Sequence, residues 1–273
     1  MLQTNKGKGR VSNMNSELKR YLSTTFLITW VCWWVEALLI KLTAMGAKDL
    51  LPMILFTVGG MGPPIAAYRV MSKRPSWSGV KKAIFSYKKS GVLIFVLFAL
   101  AEIALFTLSS DGFIDDIKQA PISPAIIIGV VFLQAVFIYG GNEEWGWRGT
   151  MQPLVAQRMP FVPAVIIVGV VWSLWHLPLW FIEGDGHQGM NPLFFLAFGI
   201  ILSFWLAAIY KTSRSVFFTM LFHGLTNTLM GVLKFNINFI FLTGCTILTI
   251  GAILIYSWTD KRTGKTEEEP HIV

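Results

Sequence analysis

The chain has 273 residues, of which 54% are hydrophobic and 14% charged, and a formal net charge of +8. Its mean hydropathy of +0.58 lies outside the range of soluble globular domains and marks a membrane protein. The basic excess sits between apolar runs, so it reads as a topology signal and an attraction to anionic headgroups, with no nucleic-acid partner implied.

In chain order, residues 1–20 carry Lys6, Lys8, Arg10, Lys19 and Arg20 and read as a basic cytoplasmic tail. Apolar runs follow at about 21–40, 51–71, 92–109, 124–140, 163–182, 193–210, 215–230 and 237–258, close to the length a helix needs to cross a hydrocarbon core of about 30 Å. They lack the alternation of outer-membrane strands, so the expected fold is an all-α polytopic bundle of about eight transmembrane helices. The first run is long and has no small-residue cleavage site, which favours a retained helix over a signal peptide. Residues 21–258 thus read as a single transmembrane domain and 259–273 as a second tail. Cys32 and Cys245 fall inside spans and read as packing residues. No internal repeat is evident, which counts against a secondary transporter.

Basic loops stay on the cytoplasmic side. With both termini inside, the groups at 69–89, Arg148 and Arg158, Lys211 and Arg214, and Lys261 to Lys265 are also inside; only Lys48, Lys118 and Lys234 fall outside, among Asp111, Asp115, Asp116, Glu183 and Asp185.

Ionisable groups within the apolar runs need an explanation, because each costs about 2.5 to 3.5 kcal/mol at the bilayer centre. Three polar islands stand out: GNEEWGWRG at 141–149, VWSLWHLPLWF at 171–181 and LFHGLTN at 221–227. Glu144 and Arg148 are four apart and share a helical face, which suits an ion pair, while Glu143 points about 100° away. Trp172 with His176, and His223 with Asn227, have the same spacing. Taken singly, each has a plainer reading: a span ending at the headgroups, a hydrogen-bonded core histidine, or interhelical polar glue. Glu36 and Glu102 also fall within apolar runs, with roles the sequence leaves open, while His187 in a loop and His271 in a tail suggest no role.

A turn near Met159 and Pro160 links the first two islands, since Glu143 lies sixteen residues before Met159 and His176 sixteen after Pro160. They should face each other about 24 Å from the hairpin tip. His223 would lie about 12 Å from the cytoplasmic surface, so the three islands are expected to converge at one shallow depth and open toward the cytoplasm. The short distance from His176 to the outer EGDGHQG loop requires a bend at Pro178 or a loop that dips inward.

Such a cluster contains the parts of a hydrolase. Glu143 serves as general base toward a water also held by His176, and His223 and Asn227 as donors to the oxyanion of a tetrahedral intermediate. Glu144 and Arg148 support them. A metal-bound version uses Glu143, His176 and His223 as ligands of a divalent ion such as zinc, and the residues alone leave both versions open. There is no HExxH motif and no Ser-His-Asp or Cys-His arrangement.

EEWGWRG, WSLWH followed by LP, and FHGLTN also resemble the three motifs of the CPBP family of intramembrane proteases, EExxxR, FxxxH and HxxxN or HxxxD. Trp172 stands where the family usually has Phe and keeps an aromatic wall there, as a supporting residue. GMGPP at Gly60 to Pro64 resembles the family's Gly-Pro break, although a plain kink explains those prolines equally well. The resemblance covers roughly 60–230, with its motif core at about 124–230. It implies an eight-helix bundle whose chamber admits a prenylated or hydrophobic peptide from the lipid bilayer, with Glu143 and His176 activating water and His223 and Asn227 forming the oxyanion site. An intramembrane endopeptidase is the leading expectation; a non-catalytic chaperone or immunity protein of the same fold comes second, and a proton-coupled transporter third.

Overall fold

The computed structural model describes residues 2–71 and 76–263, with the side chains of 2–14 and 262–263 excepted. The C-terminal stretch 264–273, including His271, and the side chains of Lys6, Lys8 and Arg10 lie outside the described residues. Among the described residues, seven helices are long and apolar enough to cross a membrane, and an eighth apolar helix, Val216–Val232, is shorter. The multi-pass helical bundle is therefore as expected, with one of its eight members at the lower limit of length.

Helix α1 spans Leu2–Leu42, reaching back through the stretch read as a tail. The second span is broken in two, α2 (Leu50–Gly60) and α3 (Gly62–Val70). The break has a direct cause. In a regular helix the carbonyls of Gly59 and Gly60 accept from residues 63 and 64, but both are proline and have no N–H. Side chains from elsewhere take their place: Thr29 Oγ1 donates to the Gly59 carbonyl at 2.6 Å and Asn142 Nδ2 to that of Gly60 at 3.2 Å. Inside a bilayer such substitutes satisfy carbonyls that the hydrocarbon cannot.

After α4 (Trp77–Phe85) come α5 (Val92–Leu108), strand β1 (Ser110–Phe113), α6 (Asp115–Gln119) and α7 (Pro124–Phe137). A broken helical segment follows. It begins as a 3-10 turn at Gly141–Glu143, becomes α8 (Glu144–Gly146), widens to a π-turn at Trp147–Met151 and ends as α9 (Gln152–Ala156). The chain then returns in α10 (Phe161–Trp175), and continues in α11 (Pro192–Ser213), α12 (Val216–Val232), β2 (Leu233–Phe235) and α13 (Phe239–Thr263). Strands β1 and β2 pair antiparallel, a small sheet that the sequence did not suggest. It joins the connections after α5 and after α12 at one end of the bundle.

The ends differ in charge. At one, the Lys88 amide bonds the Ser213 carbonyl, Lys211 pairs with Asp260 at 2.8 Å and Arg20 donates to the Arg69 carbonyl. At the other, Asn236 donates to Asp111 at 2.9 Å, and Lys48 and Asp185 line one cavity. The predicted segregation of basic loops from acidic ones is thus a property of the folded bundle.

Two apolar clusters hold it together. One gathers Phe98, Phe106, Phe198, Trp205, Phe222 and Phe241 from α5, α11, α12 and α13. The other gathers Tyr21, Trp33, Trp147, Trp172 and Trp175 from α1, the π-turn and α10. Lipid is as apolar as these side chains, so packing depends on close approach. Gly169 and Gly199 provide it between α10 and α11: a Cβ on Gly169 would lie 2.8 Å from the Ile200 Cα, and one on Gly199 would strike Ser173 and come 2.8 Å from the Trp172 ring. The three polar islands meet where the two clusters adjoin.

Candidate active site

The fourth span is interrupted where it carries the first island. Helix α7 ends at Phe137, and Gly140 takes φ +119°, a conformation L side chains rarely adopt. This lets the backbone turn aside and restart at Gly141. Asn142 fixes the restart: its Oδ1 accepts from the Gly140 amide at 3.1 Å while its Nδ2 reaches the kink of the second span.

Glu143 follows, 5% exposed. Its Oε2 accepts from two indoles, Trp172 Nε1 at 2.9 Å and Trp147 Nε1 at 3.2 Å. Both bonds converge on one oxygen and leave Oε1 unclaimed by either. Trp172, expected to act as an aromatic wall, therefore also holds the base by hydrogen bond. Phe, the residue usual in the family at this position, could not.

His176 caps α10. Its Nδ1 lies 2.8 Å from the Trp172 carbonyl, and since a carbonyl only accepts, Nδ1 carries the proton and Nε2 is left with its lone pair in the neutral ring. His223, 1% exposed, directs Nδ1 at Glu144 Oε1, 2.8 Å away. The same oxygen receives Arg148 Nη1 at 3.0 Å, and Arg148 Nη2 donates to Ser203 Oγ on α11 at 2.8 Å. Glu144 and Arg148 are 0% and 1% exposed, so the predicted i,i+4 pair exists, and it reaches further than expected, by gripping His223. Asn227 uses one N–H of Nδ2 on the Tyr139 carbonyl at 2.6 Å, which leaves its second.

Glu143, Trp172, His176, His223 and Asn227 all line a cavity of about 230 Å³. Glu144 and Arg148 stand behind it. Gly140 also matters sterically: a Cβ there would collide with Asn227 Nδ2 and lie 3.0 Å from His223 Nε2, so its bare α-carbon keeps the space before these two nitrogens open.

Glu143, His176 and His223, the ligands of the metal-bound version, share the cavity. The bonds to Nδ1 of both histidines and to Oε2 of Glu143 leave Nε2 of each ring and Oε1 as the atoms that would hold a divalent ion. Among the described residues no three His, Cys, Asp or Glu side chains are drawn together as a metal-holding group, and no step below is routed through a metal.

His223 stands eight residues from Ser215 in a helix of 17 residues, or about 12 Å along a length of about 25 Å. Helix α10 gives way at Trp175 to a 3-10 turn at 177–181, and the 182–191 loop folds inward. There His187, to which the sequence suggested no role, stacks on His176 with ring centroids 5.8 Å apart and joins the cavity lining with Met190. The Asp185-x-His187 spacing was the available signal. Charge placed this loop outside and the cavity inside, and their contact sets those two expectations against each other.

Of the remaining intramembrane acids, Glu102 accepts from Thr226 Oγ1 at 2.6 Å behind the cavity wall. Glu36 lines a neighbouring cavity with Lys48 and Asp185.

Residues 123–229 match the type II CAAX prenyl endopeptidase Rce1-like family, a stretch that includes all three islands. The chain is also 27% identical over 270 residues to CAAX prenyl protease 2 of Methanococcus maripaludis, covering 90% of this chain and 96% of that protein.

Proposed function

We propose that the chain is an intramembrane protease of the CPBP family, a reading that the match over residues 123–229 and the likeness to an archaeal CAAX prenyl protease support, and that it hydrolyses a peptide bond in a hydrophobic or lipid-modified peptide that enters from the bilayer, the prenylated C-terminal class included. Glu143 Oε1 takes the proton of a water held also by His176 Nε2, and the resulting hydroxide attacks the peptide carbonyl. The second N–H of Asn227 and, in its doubly protonated form, Nε2–H of His223 donate to the oxyanion, each worth about 2.7 to 4 kcal/mol. Glu143 then returns the proton to the departing amine. Trp147 and Trp172 hold the base in aim, and Glu144 with Arg148 holds His223. The basic end of the bundle is the cytoplasmic one.

The observation that supports this most is the carboxylate of Glu143, fixed by two indoles on one oxygen, in a cavity shared with two imidazoles and an amide. In purified protein, Glu143→Gln keeps an acceptor for the indoles and removes the base, so cleavage of a quenched hydrophobic or prenylated peptide should fall at least about 10²-fold with folding retained. Unchanged cleavage refutes the assignment. Biological activity that survives the substitution in cells supports a peptide-binding protein instead, and accumulation in sealed vesicles without a cleaved product supports a transporter.

A further inference from the structure

The loop between α10 and α11 is built rather than slack. Asp185 Oδ1 accepts from the His187 backbone N–H at 2.8 Å and lies 2.7 Å from His187 Nδ1. The Gly184 amide donates to Gln188 Oε1 at 3.2 Å, and Trp180 Nε1 bonds the Met190 carbonyl at 3.0 Å. The His187 ring is wedged among His176, Phe195 and Trp180, with centroids 5.8, 5.2 and 5.1 Å away. Local hydrogen bonds and aromatic packing thus hold a single imidazole against the cavity.

Its tautomer follows from its partner. With the carboxylate accepting at Nδ1, the neutral ring presents a lone pair at Nε2, on its far edge. A peptide lying in this cavity brings backbone N–H groups as well as carbonyls, and an N–H buried without an acceptor costs about 1 to 3 kcal/mol. Of the groups assigned above, Glu143 and His176 are committed to water and His223 and Asn227 Nδ2 donate, which leaves Asn227 Oδ1, on the oxyanion side, as their one spare acceptor. On that proteolytic reading, we propose that His187 is a substrate-binding residue whose Nε2 accepts a hydrogen bond from a backbone N–H of the bound peptide within one residue of the scissile bond, with Asp185 as the positioning residue that sets its tautomer.

The test uses the full chain in detergent with a parent peptide that it cleaves. Two analogues have an ester oxygen in place of the N–H one position before or one position after the scissile amide, which stays intact. His187→Phe keeps a ring against His176 and Phe195 and deletes Nε2. One analogue is expected to lower kcat/KM of the wild type by about tenfold, the value of one hydrogen bond. H187F should lose the same factor on the parent and nothing more on that analogue. Losses that multiply for both analogues, or an H187F enzyme as fast as the wild type, overturn the proposal. If H187F does not fold, the wild type still decides: equal rates on the parent and both analogues also overturn it. Parent cleavage that does not depend on Glu143 is a separate result and removes the proteolytic reading itself.

Discussion

The buried Glu144–Arg148 pair lets stability be separated from catalysis. Glu144 Oε1 serves Arg148 and His223 at once, and all three side chains are at most 1% exposed. Replacing Glu144 alone by Leu leaves a buried guanidinium with Ser203 as its remaining partner and frees the Nδ1 of His223. Replacing Arg148 alone by Met leaves a buried carboxylate facing an imidazole. Each single change should cost about 3 to 5 kcal/mol, the usual consequence of orphaning one member of a buried pair. The double variant removes both charges and should recover to within about 1 kcal/mol of the wild type, because apolar replacements of similar volume are often neutral. Its activity should not recover: with His223 no longer gripped, one oxyanion donor is lost, a deficit of about 10²- to 10³-fold in kcat. Reversible unfolding in mixed micelles gives the stabilities and cleavage of a quenched peptide the rates. A double variant as active as the wild type would refute the role of Glu144 as the holder of His223. Equal stability of all four proteins would refute the pair as placed.

Gly140→Ala forces a positive φ on a side chain and drives its methyl group into Asn227. It should cost about 1 to 3 kcal/mol in backbone strain and lower kcat at least about 10²-fold; a normal turnover number would show that the donors lie elsewhere. Asn142→Ala strands the Gly60 carbonyl and loosens the turn before Glu143, at about 1 to 3 kcal/mol, measurable as a lower unfolding midpoint and a lower kcat. Single cysteines at Lys82 and Asp116, in a chain with Cys32 and Cys245 replaced by Ala, should react with a membrane-impermeant maleimide from opposite sides of sealed vesicles. The cysteine at Lys82 should be protected in right-side-out vesicles and the one at Asp116 labelled; the opposite pattern would reverse the orientation read from charge.

The three islands, the Glu144–Arg148 spacing and the return at Met159 and Pro160 were legible in the sequence because they rest on helical periodicity and on short antiparallel connections. The spans were legible for the same reason, since length and apolarity suffice to find them. The placement of His187 was not. It depends on where α10 gives out and on ring packing with Phe195, nineteen residues from His176, and nothing in EGDGHQG encodes a direction. The bond from Trp172 to Glu143 was hidden too, because motif spacing treats an indole as a wall and says nothing of its N–H. The π-turn at Trp147–Met151 and the pairing of β1 with β2 likewise arise from contacts between distant segments. The turn at Gly140, which starts the Glu143 segment afresh after α7, was likewise not legible.

The proline break in the second span has a consequence of its own. Pro64→Ala would supply the missing amide and let that helix satisfy the Gly60 carbonyl from within. By ordinary helix propensity it is an improvement, yet it would release Asn142 from its outside task and unmoor the start of the turn that aims Glu143. Here a stronger helix makes a weaker enzyme.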